Sequence, residues 1–284
     1  MSARSNQPLR AAGLQLGYGR RIVVDGLDLD IQPGLVTTII GPNGCGKSTL
    51  LRAFGRLLEP KAGEVVLDGK AISQWRRRDI AQRLGLLPQS PLAPEGLTVA
   101  ELVARGRHPH QSWLRQWSAD DADEVNKALQ LTGITDLADR CLDELSGGQR
   151  QRAWISMALA QGTGILLLDE PTTYLDLAHS VEVLDLIDRL HSELGRTVVM
   201  VLHDLNLAVR YSDRLIVMRD GHIVAAGPPA EIITEEMLFA VFGLEAAVID
   251  DPVSDRPLIV PIGTRHVIDA TDRKPRRAAQ EGTQ

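Results

Sequence analysis

The residues GPNGCGKST, from Gly41 to Thr49, have the composition and spacing of a loop that binds phosphate. They match the pattern G-x-x-x-x-G-K-[ST] in full, between an apolar strand-like run and a helical one. Glycines let successive backbone N–H groups turn toward an anion without Cβ clashes, and the N-terminus of the following helix adds positive charge. Lys47 would reach the β and γ phosphates of a nucleotide, and Ser48 would bind Mg²⁺. The predicted nucleotide-binding residues here are Gly41, Pro42, Asn43, Gly44, Cys45, Gly46, Lys47, Ser48 and Thr49.

Cys45 occupies a position in this loop that requires only a small side chain. A thiol close to backbone N–H groups, a helix N-terminus and Lys47 is expected to have a lowered pKa. We therefore expect Cys45 to react with thiol reagents in the free protein and to be protected by ATP, without having a catalytic role.

The elements that would position this loop alternate between short apolar runs and longer helical patterns. The runs that read as strands are GLQLGY, LVTTII, EVVLDG, GLLP, GILLLD, TVVMVL, RLIVM and HIVAAG. Such alternation predicts an α/β sheet covered by helices, and the close spacing of the early strands predicts an antiparallel subdomain. The stretches LTVAELVARGR and ADEVNKALQLTG, with no strand between them, predict a helical insertion.

Composition and charge limit the classes of function. The 284 residues are 44% hydrophobic, enough for a substantial core, and the net charge of −6 is not typical of a nucleic-acid-binding protein. Two cysteines are too few for a disulfide framework, which favours a reducing cytosol. The opening MSARSNQPLR lacks an apolar segment and predicts no secretory signal, and no apolar run approaches the ~20 residues of a membrane helix.

Two further segments resemble the ATP-binding cassette (ABC) family. LSGGQRQR, Leu145–Arg152, is similar to the signature segment of that family, and ILLLDEPTTYLD is similar to its metal-binding strand end. The resemblance implies an ATPase with an ABC-type P-loop core. Asp169 would bind the Mg²⁺ of MgATP, and the Glu170 carboxylate would polarise the attacking water for in-line attack.

Single residues take their predicted roles from their places in this order of motifs. Tyr18 is similar to the family's adenine-stacking aromatic residue. Gln89, in LLPQS, resembles the glutamine that senses Mg²⁺ and water, and is assigned both to the metal and to catalysis. His203, in VLHD, resembles the histidine that contacts the γ-phosphate.

The resemblance also implies that two cassettes pair head to tail. Ser146, Gly147, Gly148 and Gln149 of one subunit would then face the γ-phosphate held by Lys47 of the other, with Asp176 at the same seam. The serine and glycines also predict a helix N-cap, whose free N–H groups would form the anion site. The pair would be two copies of this chain or this chain with a close homologue.

The family includes importers, exporters, DNA-repair proteins and translation factors. A single cassette, with no long heptad insert and no membrane helix, favours a separate subunit on the cytoplasmic face of a membrane, bound to permease subunits and served indirectly by a substrate-binding protein. A soluble ATPase that acts on nucleic acid or ribosomes, and the detached ATPase of an exporter, remain alternatives. No nucleic-acid partner is predicted.

Finer resemblance indicates the transported substrate. LTVAELVARGRHPHQSW, TTYLD and FGLEAAVIDDPVSDRPLIVPIG are similar to segments of ferric-siderophore import subunits, a group near haem and cobalamin importers. The chain itself would not touch the siderophore. His108 and His110 are interpreted as a docking or solvated segment, and no metal site is assigned beyond the Mg²⁺ bound with ATP.

The predicted organisation is a single ABC ATPase domain over residues 1–284. Its α/β core would comprise about 12–88 and 162–243, with a helical subdomain over about 89–161. A short C-terminal extension would follow over about 244–263, and a disordered tail over 264–284.

Overall fold

The structure, a computed structural model, describes residues 8–111 and 117–263. Its centre is a six-stranded sheet in the order β10-β9-β3-β8-β7-β6, in which β10 alone runs antiparallel to its neighbour. The strands are β3 Val36–Ile40, β6 Leu84–Leu87, β7 Ile165–Asp169, β8 Thr197–Val201, β9 Arg214–Arg219 and β10 His222–Gly227. The predicted α/β fold class is confirmed.

Both faces of this sheet are buried, which explains its continuous apolar runs. Leu166 and Leu168 of β7 pack into one hydrophobic cluster, whereas Ile165 and Leu167 pack into another on the opposite face. Alternating side chains of a strand point to opposite faces, so a strand covered on both sides must be apolar at every position.

A second, antiparallel sheet covers one side of the core and has the order β2-β1-β4-β5. Its strands are β1 Leu9–Tyr18, β2 Arg21–Ile31, β4 Ala62–Leu67 and β5 Lys70–Ala71. Helix α1, Lys47–Phe54, packs between the two sheets, with Leu50, Leu51 and Phe54 fully buried. The predicted antiparallel subdomain is present.

The segment after β6 is helical, as predicted. Short α2, Arg77–Ala81, precedes β6, and the helices that follow are α3 Val99–Arg105, α4 Ala119–Leu131 and α5 Gly147–Ala160. A buried ion pair connects all three, because Arg107 Nε lies 2.9 Å from Asp121 Oδ1 and Arg107 Nη1 donates to the Ala160 carbonyl at 2.8 Å. The predicted domain boundaries remain a prediction.

The remaining helices are α6 Leu177–Leu194, α7 Leu205–Arg210, α8 Pro229–Ile232 and α9 Glu235–Phe242. The C-terminal extension is a hairpin of β11, Ala246–Asp250, and β12, Pro257–Pro261. The Asn206 side chain anchors it, accepting from the Ile259 N–H at 2.9 Å and donating to the Ile259 carbonyl at 3.1 Å. The predicted tail, 264–284, lies outside the described residues.

Candidate functional site

Four adjacent parallel strands deliver the predicted site residues to one edge of the central sheet. The glycine-rich loop follows β3, His203 follows β8, Asp169 ends β7, and Gln89 follows β6. The carboxyl ends of parallel strands meet at the same edge, and this edge is where α/β sheets bind ligands.

Glycine is required in the loop by both its conformation and its surroundings. Gly41 has φ 153° and Gly46 has φ 109°, values that other residues rarely adopt. A Cβ at Gly41 would lie 2.1 Å from the Met218 carbonyl oxygen, and one at Gly46 would lie 2.8 Å from Val24 Cγ2. The loop therefore curls tightly over β9 and β2 and begins α1 with its N–H groups free of side-chain caps.

The Lys47 ammonium closes this loop on itself. Its side chain is buried, and Nζ donates to the Gly41 carbonyl at 2.8 Å and to the Pro42 carbonyl at 3.0 Å. A buried ammonium needs hydrogen-bond acceptors, and here these are the loop carbonyls. Phosphate oxygens could accept the same hydrogen bonds.

Ser48 and Asp169 form a direct link between the loop and β7. Ser48 Oγ donates to Asp169 Oδ1 at 2.8 Å, and Asp169 is only 3% exposed. Burial raises the pKa of the Asp169 carboxyl, and the bond from Ser48 partly opposes that shift. A hydroxyl beside a buried carboxylate, two hard oxygen donors, fits the requirements of Mg²⁺.

The Glu170 carboxylate is buried, and neighbouring side chains contact both of its oxygens. His203 Nε2 lies 2.5 Å from Oε1, while Gln89 Nε2 and Thr173 Oγ1 donate to Oε2, the latter at 2.9 Å. Glu170 itself has φ 53°, a left-handed conformation. Thr173 was missed from the sequence, although its place three residues after Glu170 in the TTYLD turn was a usable signal.

The expected lowering of the Cys45 pKa is wrong. The side chain is buried, within the hydrophobic cluster between the two sheets, and its Sγ would lie 2.9 Å from a Cβ at Gly41. Burial raises the pKa of the thiol and outweighs the lowering by Lys47. Cys45 therefore packs in the core behind the loop and is not an activated thiol.

Several predicted nucleotide-binding residues do not line the cleft over the glycine-rich loop. The cleft over the loop is lined by Asn43, Gly44, Gly46, Lys47, Ser48, Thr49, Glu170 and His203. Among the described residues that line it, none belongs to the signature segment, and Tyr18 and Asp176 are also missing. Tyr18 ends β1 with its hydroxyl 3.5 Å from Arg52 Nη1 and is 47% exposed.

The signature segment begins α5 with a capping box. Ser146 Oγ accepts from the Gln149 N–H at 3.3 Å, and Gln149 Oε1 accepts from the Ser146 N–H at 3.1 Å. The predicted N-cap is present, and the side-chain oxygen of Gln149 is used within the chain. Asp176 caps α6 by accepting from the His179 N–H at 2.9 Å.

The histidines of the HPH segment are placed separately from the site. They lie in a single 3₁₀ turn, His108–His110, where a ring nitrogen of His110 lies 2.8 Å from the Gln161 carbonyl oxygen. Over residues 8–111 and 117–263, no group of three or more His, Cys, Asp or Glu side chains is arranged to hold a metal ion.

In the same part of the chain, no helix combines the length and apolar character that a membrane crossing requires.

Comparisons with known proteins agree with this geometry. The sequence pattern of the ABC transporter family matches residues 24–173. The chain is 53% identical over 255 residues to the ferric enterobactin transport ATP-binding protein FepC of Escherichia coli, covering 90% of this chain and 94% of that protein. It is 50% identical over 245 residues to the iron(3+)-hydroxamate import ATP-binding protein FhuC of Bacillus subtilis, covering 86% and 91%.

A further relative is the hemin import ATP-binding protein HmuV of Myxococcus xanthus, which is 44% identical and covers 90% of this chain and 97% of that protein. Among solved structures, cbiO1 of Clostridium perfringens, part of the ABC transporter complex cbiONQ, matches with a TM-score of 0.72 at 30% identity and covers 83% and 94%. The dimeric ABC transporter cassette MJ0796 matches with a TM-score of 0.69 at 28% identity, covering 78% and 98%. The chain belongs to the ABC transporter family and is an ATP-binding, ATP-hydrolysing member of it.

Proposed function

We propose that this chain is the ATP-hydrolysing subunit that energises a membrane permease for uptake of an iron–siderophore complex. The main support is a sequence identity of 50–53%, over 86–90% of the chain, to relatives named for ferric enterobactin and iron(3+)-hydroxamate transport. The matched region covers almost the whole chain and is not confined to the ATP site.

The residues at the sheet edge have distinct proposed roles. Lys47 and the loop N–H groups bind the β and γ phosphates, and the ammonium exchanges its two carbonyl partners for phosphate oxygens when ATP enters. Glu170 accepts a proton from the attacking water. His203 and Gln89 hold the Glu170 carboxylate before nucleotide binds, and Tyr18 stacks on adenine.

Ser48 and Asp169 are the proposed protein ligands of the Mg²⁺ that accompanies ATP. When bound, the ion would neutralise charge on the β and γ phosphates. Gln89, the third predicted ligand, donates to Glu170 in this structure, so the same side chain would serve the carboxylate in one state and the metal in another.

Two subunits are proposed to complete each ATP site, with Ser146, Gly147, Gly148 and Asp176 supplied by the facing copy. The support is that these residues do not line the phosphate cleft of their own chain, while a dimeric cassette is among the similar structures. The pair would bind integral membrane permease subunits at the cytoplasmic face and receive substrate indirectly from a binding protein.

Uptake measurements in a deletion strain test the substrate. Cells lacking the gene should lose accumulation of radiolabelled ferric siderophore and regain it with the wild-type chain, but not with Glu170→Gln. Haem is the second candidate, because the hemin import relative is 44% identical, so labelled haem and cobalamin are measured in parallel. Loss confined to haem or cobalamin would overturn the siderophore assignment.

Affinity purification from detergent-treated membranes tests the class of function. A multi-span permease should co-elute with the tagged chain. Co-sedimentation with ribosomes or DNA, without a permease, would instead support a soluble mechanical ATPase.

A further inference from the structure

His179 bridges two parts of the proposed seam within one chain. Its ring Nδ1 is 2.7 Å from Asp176 Oδ1, the same oxygen that accepts the His179 backbone N–H at 2.9 Å. On its other side the ring lies against Gly148, because a Cβ there would be 2.7 Å from His179 Cδ2. One imidazole therefore contacts both the cap of α6 and the first turn of α5.

The backbone of Gly147 lies near a second side chain of the same turn. A Cβ added to Gly147 would lie 3.5 Å from Leu175 Cδ2, an ordinary van der Waals distance. Leu175 is itself packed against the main hydrophobic cluster. Leu175 therefore connects the turn before α6 to the core at a point close to the start of α5.

An ion pair connects the same two helices one turn further along. Arg152 of α5 donates to the Glu182 carboxylate of α6, with side-chain exposures of 29% and 51%. Pairs this exposed contribute about 0–1 kcal/mol. The two helices also pack through the main hydrophobic cluster, and at their starts the imidazole packed on Gly148 leaves no room for a larger residue.

We propose that His179 is a positioning residue of the two-subunit ATP site. Its imidazole holds the signature turn and Asp176 in one arrangement, so that both reach the nucleotide of the facing subunit together. The proposal rests on the paired cassette of the proposed function. His179 does not line the phosphate cleft of its own chain, so its effect should fall on pairing and not on the first binding of ATP.

The first test measures pairing in the Glu170→Gln background with saturating MgATP, by sedimentation of the purified chain. Adding His179→Ala should weaken dimerisation about tenfold, the size of a typical contact coupling. ATP affinity of the separate subunit should stay within about twofold of the parent, as expected for a residue outside the cleft. His179→Asn, which can place an N–H donor near the position of Nδ1 but cannot pack on Gly148, should restore pairing in part, and exposed His222→Ala should leave it unchanged.

The outcomes separate the two proposals. If the Glu170→Gln parent does not pair, the two-subunit function is overturned. If the parent pairs and His179→Ala pairs equally well, only the positioning role is overturned. Equal loss of pairing and of ATP affinity in His179→Ala would also overturn it, because a general structural defect would then explain both.

A second test needs no dimer and uses thermal unfolding of the full chain. Gly148 lies in a helix, where alanine is favoured over glycine by about 1 kcal/mol. Gly148→Ala should nevertheless lower Tm in the wild type, because its Cβ meets the imidazole. In the His179→Ala background the same change should be neutral or raise Tm. Equal losses in both backgrounds would overturn the contact on which the positioning role depends.

Discussion

His203 and Glu170 are in direct contact, with Nε2 of the histidine 2.5 Å from Oε1 of the glutamate. The other carboxylate oxygen accepts hydrogen bonds from Gln89 and Thr173. The carboxylate that would activate water is thus held by three side chains of its own chain. An attacking water would share this carboxylate with these side chains or displace one of them.

Glu170→Gln should stop hydrolysis and convert a transient pair into a stable ATP-bound dimer. Lys47, Ser48 and Asp169 would still hold MgATP, while the group that polarises water is lost. Loss of a general base reduces hydrolysis by about 10²–10⁴-fold. ATP that binds only in the closed pair stabilises association by linkage. When hydrolysis is blocked, the ATP stays bound and the dimer does not dissociate. Size-exclusion chromatography with MgATP is the measurement, and a variant that stays monomeric with ATP bound would contradict a pair formed by the isolated chain.

Ser146→Arg added to that chain should dissolve the dimer, because a bulky cation would occupy the space of the opposite phosphate site. Ser146 also caps α5, and loss of such a cap costs about 1 kcal/mol. Ser146→Ala is the matched control, since it removes the cap without adding bulk. Dimers that persist with arginine would contradict the position of the signature turn at the seam.

Lys47→Ala should abolish nucleotide hydrolysis and greatly weaken ATP binding, because the phosphates lose a charged partner. The structure adds a stability effect, since the two bonds from Nζ to loop carbonyls are also lost at about 1 kcal/mol each. Lys61→Ala is the control, because Lys61 Nζ donates to the Gly19 carbonyl at 2.6 Å, outside the phosphate loop. Turnover near normal would end the assignment of Lys47 to phosphate.

Asp169→Asn should stop hydrolysis yet raise the thermal stability of the nucleotide-free protein at neutral pH. Burial raises the pKa of Asp169 above its usual 3.8, so its ionised form disfavours the folded state. In the wild type, this residue contributes stability below pH 3.8 that is lost as pH rises through the folded-state pKa. Asparagine does not ionise, so the variant does not lose stability in this way as pH rises. Tm measured without Mg²⁺ from about pH 4 to 8 should show a gap between the variant and the wild type that widens as pH rises.

Cys45 should react with thiol reagents more slowly than Cys141 in the native protein. Its pKa is raised above 9.0, so little thiolate forms near neutral pH, and the side chain is buried. Single-cysteine chains, Cys141→Ser and Cys45→Ser, allow each rate to be measured alone. Both rates should become equal in denaturant. Faster native labelling of Cys45 would contradict its burial.

The motifs predicted which groups meet at the sheet edge, because each follows an apolar run and parallel strands bring their carboxyl ends together. Contacts between side chains could not be predicted from the sequence in the same way. Nothing in the periodicity of a loop shows whether Cys45 points toward the phosphate or the core. The bond from Gln89 to Glu170 depends on the closure of a segment 81 residues away in sequence. The same is true of the contact between Gly148 and His179, which depends on how two helix starts cross.

The site residues are concentrated at one end of the central strands. This determines where residues can be inserted or removed without disturbing the site. β8 spans five residues, so its opposite end lies roughly 13 Å from the end that precedes His203. Removing a single residue within β8 would move that histidine by about 3.3 Å, beyond reach of Glu170. The exposed turn around Gly195, at the far end, carries none of these groups. A fluorescent reporter grafted there would follow the working ATPase without entering its site.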